Sequence, residues 1–294
     1  MALHVTVLHN GGAGFEQISR EELLEALQTK GFKTTYIDIQ EEGFSLKLEI
    51  PGELVVIAGG DGTLRRISKY LIGKSIPIGL LPMGTANNIA TNLGISGMPA
   101  SIIAAWDLSK RKPFSIGVVK GIKEESFFLE SVGFGLFPRL IRQRIDKGND
   151  AITRGEELDN ALRHQLEILK EYNAHYCVID LDGQRVSGRF ILVEVMNIQY
   201  SGPNLNMAPH ANPEDTYLDI VMVREDEREI VGTYLEDRIK SRGTLKQLPV
   251  RRAQHVKVEW YGIHCHIDDE AYELPSPIKL EINVLQNGLE FLAV

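Results

Sequence analysis

The sequence predicts an α/β domain followed by a β-rich one, and three observations carry that prediction. The first third alternates apolar runs, glycine-rich turns and helix-like stretches three times over. From about Pro113 the texture changes to apolar strands joined by hairpin signals. The length of 294 residues suits about two domains at ~150 residues each. We therefore expect residues 1–113 to form an α/β domain with a parallel sheet. Residues 114–294 should form an antiparallel, sandwich-like domain with helices, its last strand returning to the first domain.

Each element has a local reason. Leu3–Leu8 runs into HNGGAG, Leu54–Ala58 into GGDGT and Ile76–Leu81 into PMGTANN, so every glycine-rich turn falls at the carboxyl end of a strand. Between them, Leu23, Leu24 and Leu27 follow Ser19 and Glu22, which are spaced as a capping box. Leu64, Ile67, Leu71 and Ile72 mark a second helix that Gly73 should stop. In the second half, Asp182-Gly183 between HYCVIDL and RFILVEVM is a two-residue hairpin turn. One long helix is expected over Glu156–Tyr172, with Leu158, Leu162, Leu166 and Leu169 on one face. Another should cover Glu227–Lys240, with the charged stretch REDERE capping or preceding it.

Composition narrows the function. Hydrophobic residues at 43%, charged residues at 24%, 27 glycines and 12 prolines describe an ordinary globular chain and exclude collagenous or disordered classes. With 32 basic and 40 acidic side chains the net charge is −8, which argues against gripping nucleic-acid phosphates by bulk electrostatics. Cys177 and Cys265 form no CxxC pair, so neither a disulfide framework nor a cysteine-rich zinc site is supported, and a reducing, cytoplasmic setting is expected. MALHVTVLHN lacks a basic n-region and an apolar h-region, and no window approaches the ~20 apolar residues of a membrane-spanning helix. Contact with membranes would then be peripheral and transient. Arg242, Lys246, Arg251 and Arg252 are the basic grouping available for it, and a solvated loop is the plainer reading of the same residues.

Three motifs carry chemistry. In Gly59-Gly60-Asp61-Gly62-Thr63, glycines allow backbone to approach a phosphate, the following helix offers unpaired N–H groups, and Thr63 adds a hydroxyl. Asp61 would repel an anion unless it holds a metal or accepts a proton; the alternative is a tight turn in which it caps the helix. Pro82-Met83-Gly84-Thr85-Ala86-Asn87-Asn88 repeats the arrangement, with Thr85 and Asn87 either binding a polar ligand or capping the next helix. Both loops should line one crevice at the strand ends, where ligands collect in open α/β sheets. Asn10-Gly11-Gly12-Ala13-Gly14 matches neither a Walker nor a dinucleotide pattern. On a strand, His264, His266 and Asp268 would share one face, which imitates a transition-metal site but more often marks a solvated edge.

HNGGAG, GGDGT and PMGTANN, in this order and spacing, resemble the catalytic domain of the diacylglycerol kinase and sphingosine kinase family, including soluble bacterial lipid kinases. ANPEDTYLD at 211–219 looks like the AxxxDGxLD segment of that family, and IDDE at 267–270 looks like its VDGE segment. The resemblance implies an NAD kinase- and diacylglycerol kinase-like nucleotide domain, and transfer of the γ-phosphoryl group of ATP to a lipid hydroxyl, with nucleotide between the domains. By carry-over, Asn10, Gly59, Gly60, Asp61, Gly62, Thr63, Gly84, Thr85, Asn87 and Glu270 would contact nucleotide. Asp268 would be the general base, with Asp61 the second candidate. Asp215, with backbone carbonyls near Asn212 and Tyr217, matches the structural magnesium site of the family, and Mg²⁺ would accompany ATP. The chain departs from the family pattern at Gly11, Asn88, Thr216 and Asp269, where Pro, Asp, Gly and Gly are usual. An apolar acceptor channel should lie in the second half; residues 131–141 and the strand of the 190s are its candidates, or ordinary core. The alternatives are an NAD-kinase-like small-molecule kinase with Asp61 as base, and a catalytically silent nucleotide-binding regulatory protein.

Overall fold

A computed structural model describes residues 2–12, 18–48, 51–122, 126–147, 153–240 and 246–294. Ala13 and Gly14 of the first loop and Arg242 of the basic grouping lie outside the described residues. The chain divides into two compact units, Met1–Ser115 with Gln286–Val294, and Ile116–Leu285.

The first unit contains β1 (His4–His9), α1 (Arg20–Thr29), β2 (Lys33–Asp38), β3 (Leu54–Gly59), α2 (Asp61–Ser68), β4 (Pro77–Pro82), α3 (Asn88–Leu93) and α4 (Pro99–Ala105). All four strands are parallel, in the order β2-β1-β3-β4. Every residue of β3 is buried, as the continuous apolar run of a sheet covered on both faces requires. The order reverses between β1 and β3, the position beyond whose strand ends ligands collect in open α/β sheets. The Ser19–Glu22 capping box closes reciprocally at 3.2 and 2.9 Å. The second helix is shorter than its apolar spacing suggests. α2 ends at Ser68, and tighter turns, Tyr70 N–H to Ile67 and Leu71 N–H to Ser68, carry the chain to Gly73 at φ 75°.

The second unit takes up β5 (Arg111–Lys120) part-way along its length. It continues with β6 (Ser126–Phe128), β7 (Ser131–Gly135), α5 (Leu136–Lys147), α6 (Arg154–Glu171), β8 (His175–Leu181), β9 (Gln184–Met196), β10 (Tyr200–Ser201) and β11 (Leu205–Asn206). After these come β12 (Leu218–Arg224), α7 (Arg228–Ile239), β13 (Val250–Ala253), β14 (Val256–Trp260), β15 (His264–Ile267), β16 (Glu270–Glu273) and β17 (Ile278–Leu292). The strand order is β16-β15-β7-β9-β8-β14-β17, with β12 also pairing β9, and the pairings within this unit are antiparallel. β17 pairs β14 through Ile278–Ile282, and its end, at Glu290 and Phe291, runs parallel to β4. The Asp182-Gly183 turn has both residues at positive φ, 51° and 87°, and sets Leu181 opposite Gln184.

One apolar cluster, including Phe134, Phe190, Val258 and Trp260, fills the sandwich, and a second packs α5, α6 and α7. The buried stripe of α6 is Ala161, Leu162, Gln165, Ile168 and Leu169. Leu158 and Leu166 are only half-buried, because α6 packs against α5 and α7 together and its buried face turns toward both.

Candidate active site

In the first unit, the three glycine-rich loops follow β1, β3 and β4. Gly60 and Gly84 stand back to back: a Cβ on Gly84 would lie 2.6 Å from Gly60 Cα, and one on Gly60 would lie 2.9 Å from Gly84 Cα. Only two glycines permit that approach, and it joins GGDGT to PMGTANN as one surface. Met83 N–H donates to the Gly59 carbonyl at 3.0 Å, and Asn10 Nδ2 donates to Thr63 Oγ1 at 2.9 Å, tying in the loop after β1. Asn10 Oδ1 accepts from Gln40 Nε2 at 3.2 Å. Gly62 is exposed and Thr85 half-buried at the surface of this cluster. Beside it His9 is buried against the Tyr36 hydroxyl at 2.9 Å; burial lowers its pKa, with Asp38 opposing.

Two side chains of these loops have structural duties that sequence spacing does not show. Asn87 sits in the left-handed region at φ 53° and clamps its own loop, accepting from Gly84 N–H at 2.7 Å and donating to the Gly84 carbonyl at 2.8 Å. Asp61 does cap a helix, but not its own. Its carboxylate accepts from Asn88 N–H at 3.0 Å and Ile89 N–H at 3.2 Å, closing the N-terminus of α3.

In the second unit, Asp268 occupies the turn between β15 and β16, at φ 51°. Its carboxylate accepts from three consecutive amides: Leu129 N–H at 3.0 and 3.2 Å, Glu130 N–H at 2.8 Å and Ser131 N–H at 3.2 Å. Three such donors fix its position. The amides are aimed from behind by Asn197, whose Nδ2 donates to the Leu129 carbonyl at 3.0 Å and whose N–H donates to the Glu130 carbonyl at 2.8 Å. Asp269 and Glu270 are exposed, and Glu270 Oε2 accepts from the Tyr272 hydroxyl at 2.5 Å. The positive φ belongs to Asp268 and not to Asp269, so the position where the family usually has glycine needs no glycine here.

His266 is not a metal ligand on a solvated edge. It is 1% exposed, with Nε2 at 3.0 Å from both oxygens of the fully buried Glu194, and Nδ1 at 2.8 Å from the Asp268 carbonyl. Burial lowers the imidazole pKa, but the Glu194 charge and hydrogen bond outweigh it and the net shift is upward. Among the described residues no three His, Cys, Asp or Glu side chains gather as a metal site.

Residues 4–119 match the diacylglycerol kinase catalytic domain, and residues 147–286 match the YegS C-terminal NAD kinase beta sandwich-like domain. The chain belongs to the diacylglycerol kinase-like lipid kinases. It is 23% identical over 250 residues to a diacylglycerol kinase of Mycobacterium tuberculosis, covering 82% of this chain and 76% of that protein. It is 24% identical over 221 residues to a protein named a probable YegS-like lipid kinase in Klebsiella pneumoniae, covering 73% and 71%. The fold is shared with a crystal structure of a diacylglycerol kinase from Bacillus anthracis str. Sterne, at a TM-score of 0.70, 18% identity and coverage of 99% and 97%.

In this lipid kinase the loop expected to hold structural magnesium is tied to Arg252. Asp215 Oδ2 accepts from Arg252 at 2.6 Å and Oδ1 from the Tyr217 N–H at 2.8 Å, while the Asn212 carbonyl accepts from Asp215 N–H at 3.2 Å. The Arg252 guanidinium also lies 3.6 Å from buried Asp219 and 4.6 Å from the Tyr217 ring. Arg252 thus already pairs with Asp215, while the buried Oδ2 of Asp219 has no hydrogen-bond partner. Arg252, one of the basic grouping, is engaged in this cluster. Thr216, another departure from glycine, has ordinary φ and accepts from Gln254 Nε2 at 2.6 Å.

Of the segments expected to line an acceptor channel, residues 131–138 and Phe190–Met196 are buried, while Arg139 is exposed and Ile141 half-buried. Asn197, Glu194 and Gly133 escaped the reading of the sequence. A glutamate inside the apolar run FILVEVM was the available sign, since an unpaired carboxylate is almost never fully buried.

Proposed function

We propose that this lipid kinase transfers the γ-phosphoryl group of ATP to a hydroxyl of a diacylglycerol-like lipid, with Asp268 as the general base. The glycine loops and the N-terminus of α2 bind the nucleotide phosphates through backbone N–H groups, with Asn10 and Thr63 ordering the loops around them. The Asp268 carboxylate accepts the hydroxyl proton as the acceptor oxygen attacks the γ-phosphorus. The bond from phosphorus to the β,γ-bridging oxygen breaks and ADP leaves. Phosphoryl transfer depends chiefly on positioning and charge neutralisation, so a carboxylate fixed in place before substrate arrives fits the task. Magnesium would enter with ATP and neutralise phosphate charge.

The observation that carries this reading is the carboxylate of Asp268 held by three consecutive amides. Asp61 is less suited to the same role, because both its oxygens close the N-terminus of α3, and this also weighs against an NAD-kinase-like assignment of the base. The departures at 216 and 269 give no support to a silent protein, because neither residue has positive φ. No helix of the described residues is long and apolar enough to cross a membrane; we place the protein in the cytoplasm, meeting lipid by transient contact at a membrane surface.

The test is transfer of labelled γ-phosphate from ATP to lipid acceptors in detergent micelles, with NAD and Asp268→Asn run alongside. Transfer to a lipid that vanishes in the variant is expected. Transfer to NAD alone, or undiminished transfer by Asp268→Asn, overturns the reading.

A further inference from the structure

A carboxylate held by amides on one side needs its backbone held on the other, and in this chain a buried pair does so. His266 lies on β15 and Glu194 on β9, with β7 between them, so their side chains meet across a whole strand. The residue between is Gly133, which registers against His266 on one edge and Glu194 on the other. A Cβ there would lie 2.0 Å from Glu194 Oε1. Adjacent strands lie ~4.8 Å apart, so only a missing side chain leaves room for imidazole and carboxylate to meet over the middle strand. The Asp268 carbonyl can only accept, so Nδ1 carries the hydrogen that joins them. Phe137 packs its ring edge against the imidazole at 6.4 Å and closes the pair from α5.

We propose that His266, braced by Glu194 through the gap at Gly133, is a positioning residue for Asp268. Its Nδ1–H fixes the Asp268 carbonyl, keeps that residue in its left-handed conformation, and so aims the carboxylate at the amides of Leu129, Glu130 and Ser131. A non-glycine residue stays in the left-handed region only where its surroundings over-determine it. Here the Asp268 N–H donates to the Ser131 carbonyl at 2.8 Å, His266 holds the carbonyl, and the side chain is held by the amides. The catalytic consequence rests on the reading of Asp268 as the base; the positioning itself does not.

Two amide substitutions separate the nitrogens of the ring. Asn at 266 places its donor near the position of Nδ1, and Gln places its polar group near that of Nε2. Each is paired with Glu194→Gln so that no buried charge is stranded. In H266Q/E194Q, which loses the donor to Asp268, hydrogen exchange at the amides of 129–131 should speed at least tenfold. Its turnover with lipid and ATP should fall at least tenfold at an unchanged KM for ATP. In H266N/E194Q both quantities should stay within threefold of the parent. Unchanged exchange in the Gln variant, or equal losses in both variants, overturns the positioning role. A parent without lipid transfer overturns the base assignment instead, and the exchange rates still decide the positioning. In the unaltered protein, ¹⁵N shifts of the His266 ring at neutral pH should show hydrogen on Nδ1. A bare Nδ1 refutes the proposal even if neither variant folds.

Discussion

Replacing Gly84 by alanine tests whether the two glycine loops act as one surface. The added Cβ would lie 2.6 Å from Gly60 Cα and 2.9 Å from Asn87 Oδ1. Carbon atoms pack best ~3.5–4.0 Å apart, so the loops must separate by about 1 Å. Overpacking of this kind costs ~1–3 kcal/mol. The same shift distorts the Asn87 clamp, whose bonds of 2.7 and 2.8 Å contribute about 1 kcal/mol each. A stability loss of about 1–5 kcal/mol follows from those two contributions, the upper end if both clamp bonds are lost. Because misplacement by ~1 Å at a binding site is felt strongly, the KM for ATP should rise at least about tenfold. Urea unfolding and an ATP titration measure the two effects. Gly155→Ala is the control, since nothing lies within 4 Å of a Cβ at that helical position and the change should stabilise by up to ~1 kcal/mol. Gly60→Ala, with its single close contact at 2.9 Å, should be milder than Gly84→Ala. A Gly84→Ala protein with the parent's urea midpoint and KM would refute the contact and the nucleotide role together.

The other predictions concern side chains whose duties the structure separates. Asp268→Asn should lower turnover by ~10²–10⁴ with ATP affinity kept, whereas Asp61→Ala should cost ~1 kcal/mol of stability through loss of the α3 cap; equal turnover losses in single-turnover assays would reverse that assignment. Arg252→Ala should destabilise by ~1–3 kcal/mol, because it strands the buried Asp219 carboxylate. Burial already raises the Asp219 pKa, with Arg252 opposing, so the native state binds a proton more readily than the unfolded chain. The Asp219 contribution to stability therefore falls as pH rises from the ordinary aspartate value through the raised one, and the difference in urea midpoint between parent and Arg252→Ala should shrink on acidification; a difference that grows on acidification contradicts it. Burial pushes the Cys177 and Cys265 thiols up to about 12, so neither should react with a disulfide reagent at neutral pH until denaturant is added.

The sequence by itself determined what short-range chemistry can specify. Apolar runs ending in glycine turns located β1, β3 and β4. Ser19 with Glu22 located the start of α1, and Asp182-Gly183 fixed a hairpin register. Each depends on a few neighbouring residues, through hydrogen bonds or φ preferences that act within one turn. Only the tertiary structure decided what the polar side chains do. Asp61 reaches the first amide of α3, 27 positions away. Arg252 reaches Asp215, 37 positions away. Asp268 finds its amides 137 to 139 positions back, and His266 finds Glu194 at a separation of 72. These partners are chosen by sheet register and loop packing, in which a single missing Cβ at Gly133 decides whether two charged groups can meet. Periodicity along the chain records which face a residue occupies, but not what waits on the strand beyond.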